Sequence, residues 1–376
     1  MKIGFICNEY PPVTCGGIGT FTRELAEHLV QAGHHVHVIG VYAGLLSTEV
    51  AEQNGVLVER LPARGGLIGL WSDRRRLYER VKALAKAGEL DIIEVPDFEG
   101  GAAFWGRLPI PRVTRLHGTV TYFNQELGQP ANKLIKRLEL STLANSDCWL
   151  SVSDYAAQET CKAFALEKPY QVIYNGIAWP AAERCKHDYG AARKVVFTGS
   201  LMAKKGVFSL AKAWRQLHRQ LPDIHLVLIG KDTIADGRSA KDLIVELAGP
   251  DAHITFTGHI DKSELQQHLV SADAAIFPSF SESFGLGPVE AMALAVPTVY
   301  TQLSCGPEIM TDKRDGLLID PSEPDTIVTA LTSLLTDESL RRQYGRAGRA
   351  HAEKFSVDAQ LAHNVQAYQQ LIEAHS

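Results

Sequence analysis

The sequence lacks the features that mark several large classes of protein. Its six cysteines include no C-x-x-C pair, which argues against a disulfide framework and fits a reducing compartment. No stretch approaches the roughly 18 uninterrupted apolar residues of a membrane span. The net charge of −5 gives no argument for a nucleic-acid partner. No segment repeats at a fixed period, so a solenoid is not expected. These absences predict a cytoplasmic protein.

What is present is a regular alternation of short apolar runs and helical patterns. The start MKIGFICNEY is too short in its apolar part for a signal peptide and suits a buried first strand. Strands that alternate with helices predict parallel sheets with right-handed crossovers, and 376 residues are enough for two such domains. The predicted strands are KIGFIC, HVHVIGV, VLVERL, DIIEV, RVTRL, CWLSVS and QVIYN in a first series, then KVVFTG, HLVLIG, ITFTG, AAIFP, TVYT and GLLID in a second.

The two series predict the domain boundaries. We expect a first doubly wound α/β domain over 1–176, a linker of weak periodicity over 177–193, and a second doubly wound domain over 194–355. The remaining segment, 356–376, is predicted to form a helix that packs back across the domain junction. Its apolar face comprises Leu361, Val365, Tyr368 and Leu371.

Ligands of doubly wound domains bind outside the carboxyl ends of the strands, so candidate residues of the first domain are expected there. Gly16 and Gly17 follow the first strand and precede a helix, which suits a close approach to a phosphate or a sugar. Their spacing does not match G-x-G-x-x-G, and the next acid, Glu49, lies well past the second strand, which disfavours a nicotinamide dinucleotide. His117 closes the strand RVTRL and could donate a hydrogen bond to a sugar hydroxyl; a satisfied polar strand end is the alternative.

Two polar clusters in the first domain suggest metals, but neither is predicted to bind one. Glu94, Asp97 and Glu99 surround the end of the strand DIIEV, and we interpret them as a solvated loop or as an acceptor-side group. His34, His35 and His37 begin the second strand, away from the ligand edge, and their spacing fits no recognised zinc site. The sequence therefore predicts no metal site.

The second domain has cations and acids around two strand ends. Lys204 and Lys205 follow VVFTG at a loop-to-helix junction, where paired lysines suit a phosphate. A loop is predicted from Ser279 to Gly287, and Glu282 and Glu290 lie on either side of its two glycines. Pro288 is predicted at the first helical position, with Glu290 in the first turn. Backbone N–H groups between Phe284 and Leu286 would point at a diphosphate, whereas the carboxylates would accept hydrogen bonds from hydroxyls. Together these features predict a nucleotide diphosphate sugar.

These residues resemble those of a known family. The segment ESFGLGPVEAMA looks like the E-x7-E motif of the retaining glycosyltransferases of family 4, which have the GT-B fold of two Rossmann-like doubly wound domains facing a central cleft. The resemblance covers nearly the whole chain. It includes the opening GGIGTFTRELAEHLVQAGHHVHVIG, the domain-ending VIYNGI, the phosphate-binding loop GSLMAKKGV and the late segment DGLLIDPSEPDTIVTAL.

The resemblance implies a role for each matching position. Lys205 would bind the donor diphosphate, Glu290 the ribose, and Glu282 the sugar. His117 would face the transferred sugar, and Gly16 with Gly17 would lie beside the phosphates. The expected donor-binding residues are Gly16, Gly17, Ser200, Lys204, Lys205, Phe284, Gly285, Leu286 and Glu290; the expected catalytic residues are Glu282, His117 and Lys205; the acceptor-side residues are Glu94, Asp97 and Glu99.

The sequence departs from the family at two of these positions. Many members carry arginine where Ser200 stands, so Lys204 is expected to supply the second cation. Ser283 replaces a common glycine, which makes the loop less permissive. The resemblance implies a hexosyl-type transfer with retention of configuration to a glycan or a lipid-linked acceptor, in polysaccharide or glycoconjugate synthesis of the cell envelope. No cofactor and no divalent metal are expected, because the lysines already lie on the donor side.

Other functions stay open from the sequence. A phosphorylase or epimerase of the same fold is a near neighbour, and a nicotinamide oxidoreductase or a non-catalytic sugar-nucleotide-binding protein is more distant. A glycosidase pair of Glu282 and Glu290 would leave the lysines without a purpose. The helix NKLIKRLELSTLA groups Lys133, Lys136 and Arg137 on one side, and we expect it either to rest on anionic lipid or to be an ordinary solvated face.

Overall fold

The chain divides into two compact units. The structure is a computed structural model that describes residues 1–13, 16–185 and 193–375, without the side chains of residues 67 and 68. The first unit comprises Met1–Ala178 and Phe355–Ser376, and the second comprises Trp179–Lys354. Of the linker predicted at 177–193, residues 186–192 lie outside the described residues.

The first unit is built on a sheet of eight described strands in the order β3-β4-β2-β1-β5-β6-β7-β8. All neighbours pair in parallel except β3, which is antiparallel to β4 at the edge. The chain leaves β1 toward β2 and later returns to its other side as β5, so the order reverses between β1 and β5. The strands are β1 Lys2–Ile6, β2 His35–Tyr42, β3 Glu49–Gln53, β4 Val56–Pro62, β5 Ile92–Pro96, β6 Arg112–Leu116, β7 Cys148–Ser151 and β8 Tyr170–Val172.

Helices between these strands bury their apolar faces on the sheet. The first helix places Phe21, Leu25 and Leu29 in a core with β1 and β2, because these residues recur at the spacing of a helical face. The other face of the sheet is covered by α2, with Leu77, Val81 and Leu84 in contact with the core. The helices are α1 Gly17–Gln31, α2 Gly66–Lys86, α3 Val120–Glu126, α4 Lys133–Ala144 and α5 Asp154–Phe164.

The second unit has a parallel sheet of six described strands in the order β13-β10-β9-β14-β15-β16, where the order reverses between β9 and β14. Its strands are β9 Arg193–Thr198, β10 Ile224–Ile229, β13 Ile254–Gly258, β14 Ala274–Phe277, β15 Thr298–Thr301 and β16 Leu317–Ile319, with a small hairpin of β11 Ile234–Ala235 and β12 Arg238–Ser239. Its helices are α6 Val207–Gln220, α7 Ala240–Ala248, α8 Lys262–Val270, α9 Leu286–Ala293, α10 Gly306–Ile309, α11 Pro324–Thr336 and α12 Glu338–Ala352.

The last helix, α13 (Val357–His375), packs on α1 within the first unit. A buried polar network holds it there. Arg115 of β6 donates to both carboxylate oxygens of Glu94, at 3.0 and 2.8 Å, and to the side-chain oxygen of Asn364 at 2.6 Å. The hydroxyl of Tyr368 donates to Glu94 at 2.6 Å. Because every one of these side chains is buried, the helix is fixed by charged hydrogen bonds as well as by apolar contact.

The predicted doubly wound parallel architecture is confirmed for both units, and every strand predicted from the sequence occurs. The edge strand β3 and the hairpin β11–β12 were missed. β3 is mostly exposed and lacks an apolar face, so its sequence carries little of the periodic signal that reveals a strand. Among the described residues, no helix is long and apolar enough to cross a membrane, and no cysteine forms a disulfide.

Candidate active site

The loops that carry the predicted donor residues follow β9 and β14, the two strands between which the second sheet reverses its order. Lys205 follows β9, and its ammonium lies 2.5 Å from a carboxylate oxygen of Glu282, which follows β14. The hydroxyl of Ser279 donates to the same carboxylate oxygen at 3.0 Å. In doubly wound folds, this reversal point is where ligands bind.

The charge of Glu282 is stabilised in place. Burial alone would raise the pKa of this carboxyl, but Lys205, with further contributions from Lys204 and the Ser279 hydroxyl, lowers the pKa below its ordinary value. The Ser304 hydroxyl accepts a hydrogen bond from the backbone N–H of Glu282 at 3.2 Å. Glu282 is therefore an ionised, positioned acceptor beside a cation.

A glycine allows the two loops to meet. Gly206 has φ of 71°, and a Cβ atom there would lie 1.7 Å from the carbonyl oxygen of Pro278. Two residues after Pro278, the backbone N–H of Phe280 donates to the carbonyl of Lys204 at 2.8 Å. The loop after β9, which carries Lys205, and the loop after β14, which carries Glu282, are thus in direct backbone contact. This contact sets the separation of Lys205 and Glu282. Ser200 lies half-buried between the end of β9 and this loop.

The start of α9 differs from the prediction. The helix begins at Leu286, two residues before Pro288, because Gly285 adopts φ of 82° and serves as its N-cap. A Cβ atom at Gly285 would lie 2.3 Å from the hydroxyl of Tyr300, which donates to the carbonyl of Phe284 at 3.3 Å. The placement of Pro288 at the first helical position is therefore wrong.

Glu290 consequently lies in the second turn of α9, and the prediction that it belongs to the first turn is also wrong. It is half-buried. The early helix start places the backbone N–H groups of Leu286 and Gly287 among the first-turn donors that have no partner within the helix. The predicted row of N–H groups thus extends one residue further than expected.

In the first unit, His117 lies at the carboxyl end of β6, and its backbone is held by a buried acid. Asp97 is fully buried and accepts hydrogen bonds from the backbone N–H groups of His117 at 3.0 Å and Gly118 at 3.1 Å. Burial lowers the pKa of His117 to about 3, with a further contribution from Arg115. The imidazole is therefore neutral at physiological pH, and its ring packs edge-on against Phe21 with centroids 4.9 Å apart.

The acids predicted for the acceptor side have separate positions. The carboxylate of Glu94 accepts hydrogen bonds from Arg115 and Tyr368. Burial raises the pKa of Asp97 to about 7, against the lowering effect of its backbone hydrogen bonds, and Glu99 is exposed. The structure does not bring these three carboxylates together, and the described residues hold no group of three or more ligands suited to a metal ion.

Two acids for which the sequence predicted no role shape the first unit. Glu9 accepts hydrogen bonds from the N–H of Gly16 at 3.1 Å and of Gly19 at 2.7 Å, so its carboxylate occupies the start of α1, where a phosphate was expected. Glu139 is buried and accepts from the backbone of residues 99, 120 and 121. Glu9 could have been found from its position, since it lies in the loop between β1 and the glycines; Glu139 lies inside a helix and gives no such signal.

The histidines at the start of β2 are separated as well. His37 is buried and lies 3.2 Å from a carboxylate oxygen of Glu59, which also pairs with Arg80 at 2.8 Å. The ring of His34 instead contacts the N-terminal amine at 3.3 Å.

Two family models match the chain. One, described as "Glycosyltransferase Family 4", matches residues 15–178, and the other, "Glycosyl transferases group 1", matches residues 186–351. The chain belongs to glycosyltransferase family 4. It is thus an enzyme of the hexosyl-type glycosyltransferases, as the E-x7-E segment predicted, and the nicotinamide oxidoreductase alternative is set aside.

Similar proteins support the same fold. An uncharacterized glycosyltransferase of Methanocaldococcus jannaschii is 28% identical over 98% of this chain and 98% of its own length. Sucrose-phosphate synthase from Thermosynechococcus elongatus has a TM-score of 0.83 at 21% identity, over 99% of both chains. HepE from Anabaena, solved in complex with UDP and glucose, has a TM-score of 0.76 at 19% identity, over 99% of this chain and 100% of its own. The fold is GT-B.

Burial of neutral His117 predicts a pH-dependent contribution to stability. The pKa of a histidine in the unfolded chain is about 6.5, so protonation favours unfolding as pH falls from there toward the folded value near 3. Between pH 7 and pH 5, the free energy of unfolding of the parent should fall by about 2 kcal/mol more than that of His117→Asn. Urea unfolding at both pH values measures this difference.

The exposed His35 supplies the control, and His35→Asn should follow the parent at both pH values. Equal losses of stability in the parent and in His117→Asn would show that His117 is not held neutral by burial.

Proposed function

We propose that this family 4 enzyme transfers a hexosyl group, with retention of configuration, from a nucleotide diphosphate sugar to a hydroxyl of a glycan or a lipid-linked acceptor. We place the reaction in the synthesis of cell-envelope polysaccharide or glycoconjugate. The observation that carries the proposal is the Lys205–Glu282 pair at the reversal point of the second sheet, next to the N–H groups that open α9. A cation beside a hydroxyl acceptor matches a ligand that is anionic at one end and polyhydroxylated at the other. The UDP and glucose with which HepE was solved are the two parts of such a ligand.

In the proposal, Lys205 changes partners when the donor binds. The ammonium is paired with Glu282 in the described structure, and a diphosphate would draw it toward the phosphate oxygens. Glu282 would then accept hydrogen bonds from hydroxyls of the sugar, and Glu290 from those of the ribose. Ser200 and Lys204 would contact the phosphates, with Lys204 as the second cation. The N–H groups of Phe284, Gly285 and Leu286 would hold the distal phosphate and the sugar.

The proposed chemistry needs charge stabilisation at the leaving group. The bond between the anomeric carbon and the donor phosphate oxygen breaks, and its electron pair stays on the nucleoside diphosphate, beside Lys205 and the start of α9. The acceptor oxygen forms its bond to the anomeric carbon on the same face, and its proton passes to a phosphate oxygen of the leaving group. In this proposal no residue has to form a covalent intermediate.

The neutral imidazole of His117 suits a hydrogen bond to a hydroxyl of the transferred sugar. A neutral ring can donate from one nitrogen and accept at the other, whereas a protonated ring would repel the positive charge that develops on the sugar. Asp97 contributes by fixing the backbone of the histidine, not by contact with the substrate. Glu94 and Asp97 therefore drop out as acceptor ligands in our proposal, and Glu99 alone keeps an exposed carboxylate.

The two glutamates of the motif should respond differently to substitution. Glu290→Ala should weaken binding of the preferred nucleoside diphosphate by roughly 1.5–3 kcal/mol, the value of a hydrogen bond to a charged group. Glu282→Gln should leave that affinity unchanged or raise it, because Lys205 loses a competing anion, while turnover falls. Calorimetric titration with UDP, GDP and ADP, followed by hydrolysis and transfer assays with the matching sugars, measures both.

Glu338→Gln is the matched control, since Glu338 is exposed and pairs with Arg342 within α12. If both motif variants bind and turn over like this control, the assignment of the donor site is wrong.

Catalysis is proposed to need no divalent metal, because in this proposal Lys204 and Lys205 supply the positive charge at the leaving group. Activity should survive excess EDTA, whereas Lys205→Ala should lower turnover at least about a hundredfold, the scale seen when one donor of charge stabilisation is removed. Lys212→Ala, an exposed lysine on α6, controls for loss of charge. Complete loss of activity with EDTA, restored by manganese or magnesium, would contradict this proposal.

A contact of α4 with anionic lipid is proposed in a narrower form than the sequence suggested. Lys136 donates to the carbonyl of Ala163 at 2.9 Å and is half-buried, which leaves Lys133, Leu134 and Arg137 exposed on this helix. Each basic side chain near the surface should add about 1 kcal/mol to binding. The protein should co-float with anionic vesicles at low salt, and Lys133→Glu with Arg137→Glu should abolish co-flotation.

Neutral vesicles are the control. An absence of co-flotation with anionic vesicles at low salt would leave α4 as an ordinary solvated face.

A further inference from the structure

Two aromatic rings are stacked on each other on the surface of the first unit. Trp71 of α2 and Phe104 have ring centroids 4.9 Å apart with an angle of 28° between the ring planes. Despite this contact, Trp71 remains 49% exposed and Phe104 47% exposed. By contrast, Trp105 and Trp149 of the same unit are buried. An exposed aromatic pair of this kind has an open face and calls for an explanation.

The pair lies at the edge of the sheet where ligands bind. Trp71 is in the second turn of α2, which follows the carboxyl end of β4. Phe104 lies in the connection between β5 and β6, which begins at the carboxyl end of β5. His117 follows β6 at the same edge. Since parallel strands present their carboxyl ends together, the aromatic pair and the proposed sugar-facing histidine occupy one edge of the first unit.

The backbone beneath the pair is held in an unfavourable conformation by specific bonds. Phe104 has φ of 60° and Glu99 has φ of 55°, both in the left-handed region that side chains disfavour. The N–H of Phe104 donates to the hydroxyl of Ser141 at 2.8 Å. Arg74 donates to the carbonyl of Glu99 at 2.7 Å and to that of Gly100 at 2.8 Å, which ties α2 to the segment. Strain that the surroundings over-determine is characteristic of functional sites.

We propose that Trp71 and Phe104 form a platform on which a sugar ring of the acceptor stacks. The inference rests on the proposed function and extends it to a carbohydrate acceptor. The axial C–H groups of a hexopyranose carry partial positive charge and pack on the electron-rich face of an aromatic ring. The residues after Trp71, from Ser72 to Arg75, are polar or charged.

The test compares acceptor use with donor hydrolysis. The variants are Trp71→Ala and Phe104→Ala, and the control is Phe98→Ala, which removes an exposed ring from the same segment outside the stacked pair. Alanine is a good helix former at the exposed Trp71 position, so this variant should fold. The probes are methyl α- and β-glucosides, mannosides and galactosides, with maltose and cellobiose, each used as acceptor with the donor that the parent hydrolyses.

We expect the KM for the best acceptor to rise about tenfold in both variants, which corresponds to roughly 1.4 kcal/mol. Donor hydrolysis without an acceptor should stay within about twofold of the parent, and Trp71→Phe should restore most of the acceptor affinity because it keeps an aromatic face. The same sugars should shift the tryptophan fluorescence of the parent and not that of Trp71→Ala.

Several results would overturn the platform. They are an unchanged KM, an equal rise in Phe98→Ala, a loss of donor hydrolysis in the platform variants, and a parent that neither uses nor binds any probe sugar. A parent dimer that Trp71→Ala converts to monomer in sedimentation would assign the pair to self-association instead. A parent that hydrolyses no nucleotide sugar contradicts the proposed function itself, which distinguishes that failure from failure of the platform.

Discussion

The ion pair between Lys205 and Glu282 is the interaction on which the donor side of the second unit depends. It joins the loops after β9 and β14, the two strands that flank the reversal of the sheet. Both charges are largely removed from water, so each makes the other tolerable: removal of one partner would leave an uncompensated charge. The close approach of the Pro278 carbonyl to Gly206 and of the Tyr300 hydroxyl to Gly285 constrains the geometry of the two loops. In our proposal, the diphosphate of the donor supplies the charge that replaces Glu282 as the partner of Lys205.

In the first unit, three carboxylates near the carboxyl edge of the sheet accept hydrogen bonds from backbone N–H groups. Parallel strands end in loops whose N–H groups need acceptors once they are buried. Asp97 accepts from the loop after β6, Glu139 from the segment after β5 and the start of α3, and Glu9 from the start of α1. These bonds explain how several acids can lie near the carboxyl edge of the sheet although the described residues hold no group of three or more metal ligands. They also hold the backbone at His117, and burial of its ring keeps the imidazole neutral.

The periodicity of apolar residues and the spacing of motifs allowed part of this fold and of the candidate site to be predicted from the sequence. Apolar runs predicted the separation into two series and every strand of both sheets except the edge strand β3, and the residues between Glu282 and Glu290 predicted the donor loop. The features that could not be predicted depend on three-dimensional partners. The carboxylate of Glu94 looks the same in the sequence whether it faces solvent or Arg115. The start of α9 depends on the left-handed conformation of Gly285. The hydroxyl of Tyr300, which belongs to β15, leaves no room for a side chain there. Trp71 and Phe104 are 33 positions apart in the sequence, and their rings come into contact only in the folded chain.

The central claim, that the loops after β9 and β14 bind a diphosphate, is tested most directly by comparing nucleoside diphosphates with their nucleosides. Calorimetric titration of the parent protein in the presence of EDTA should be carried out with UDP, GDP and ADP and with uridine, guanosine and adenosine. We expect at least one diphosphate to bind about tenfold or more tightly than its nucleoside, a difference of roughly 1.4 kcal/mol or more. Equal affinities within every pair, or no binding of any diphosphate, would contradict the claim.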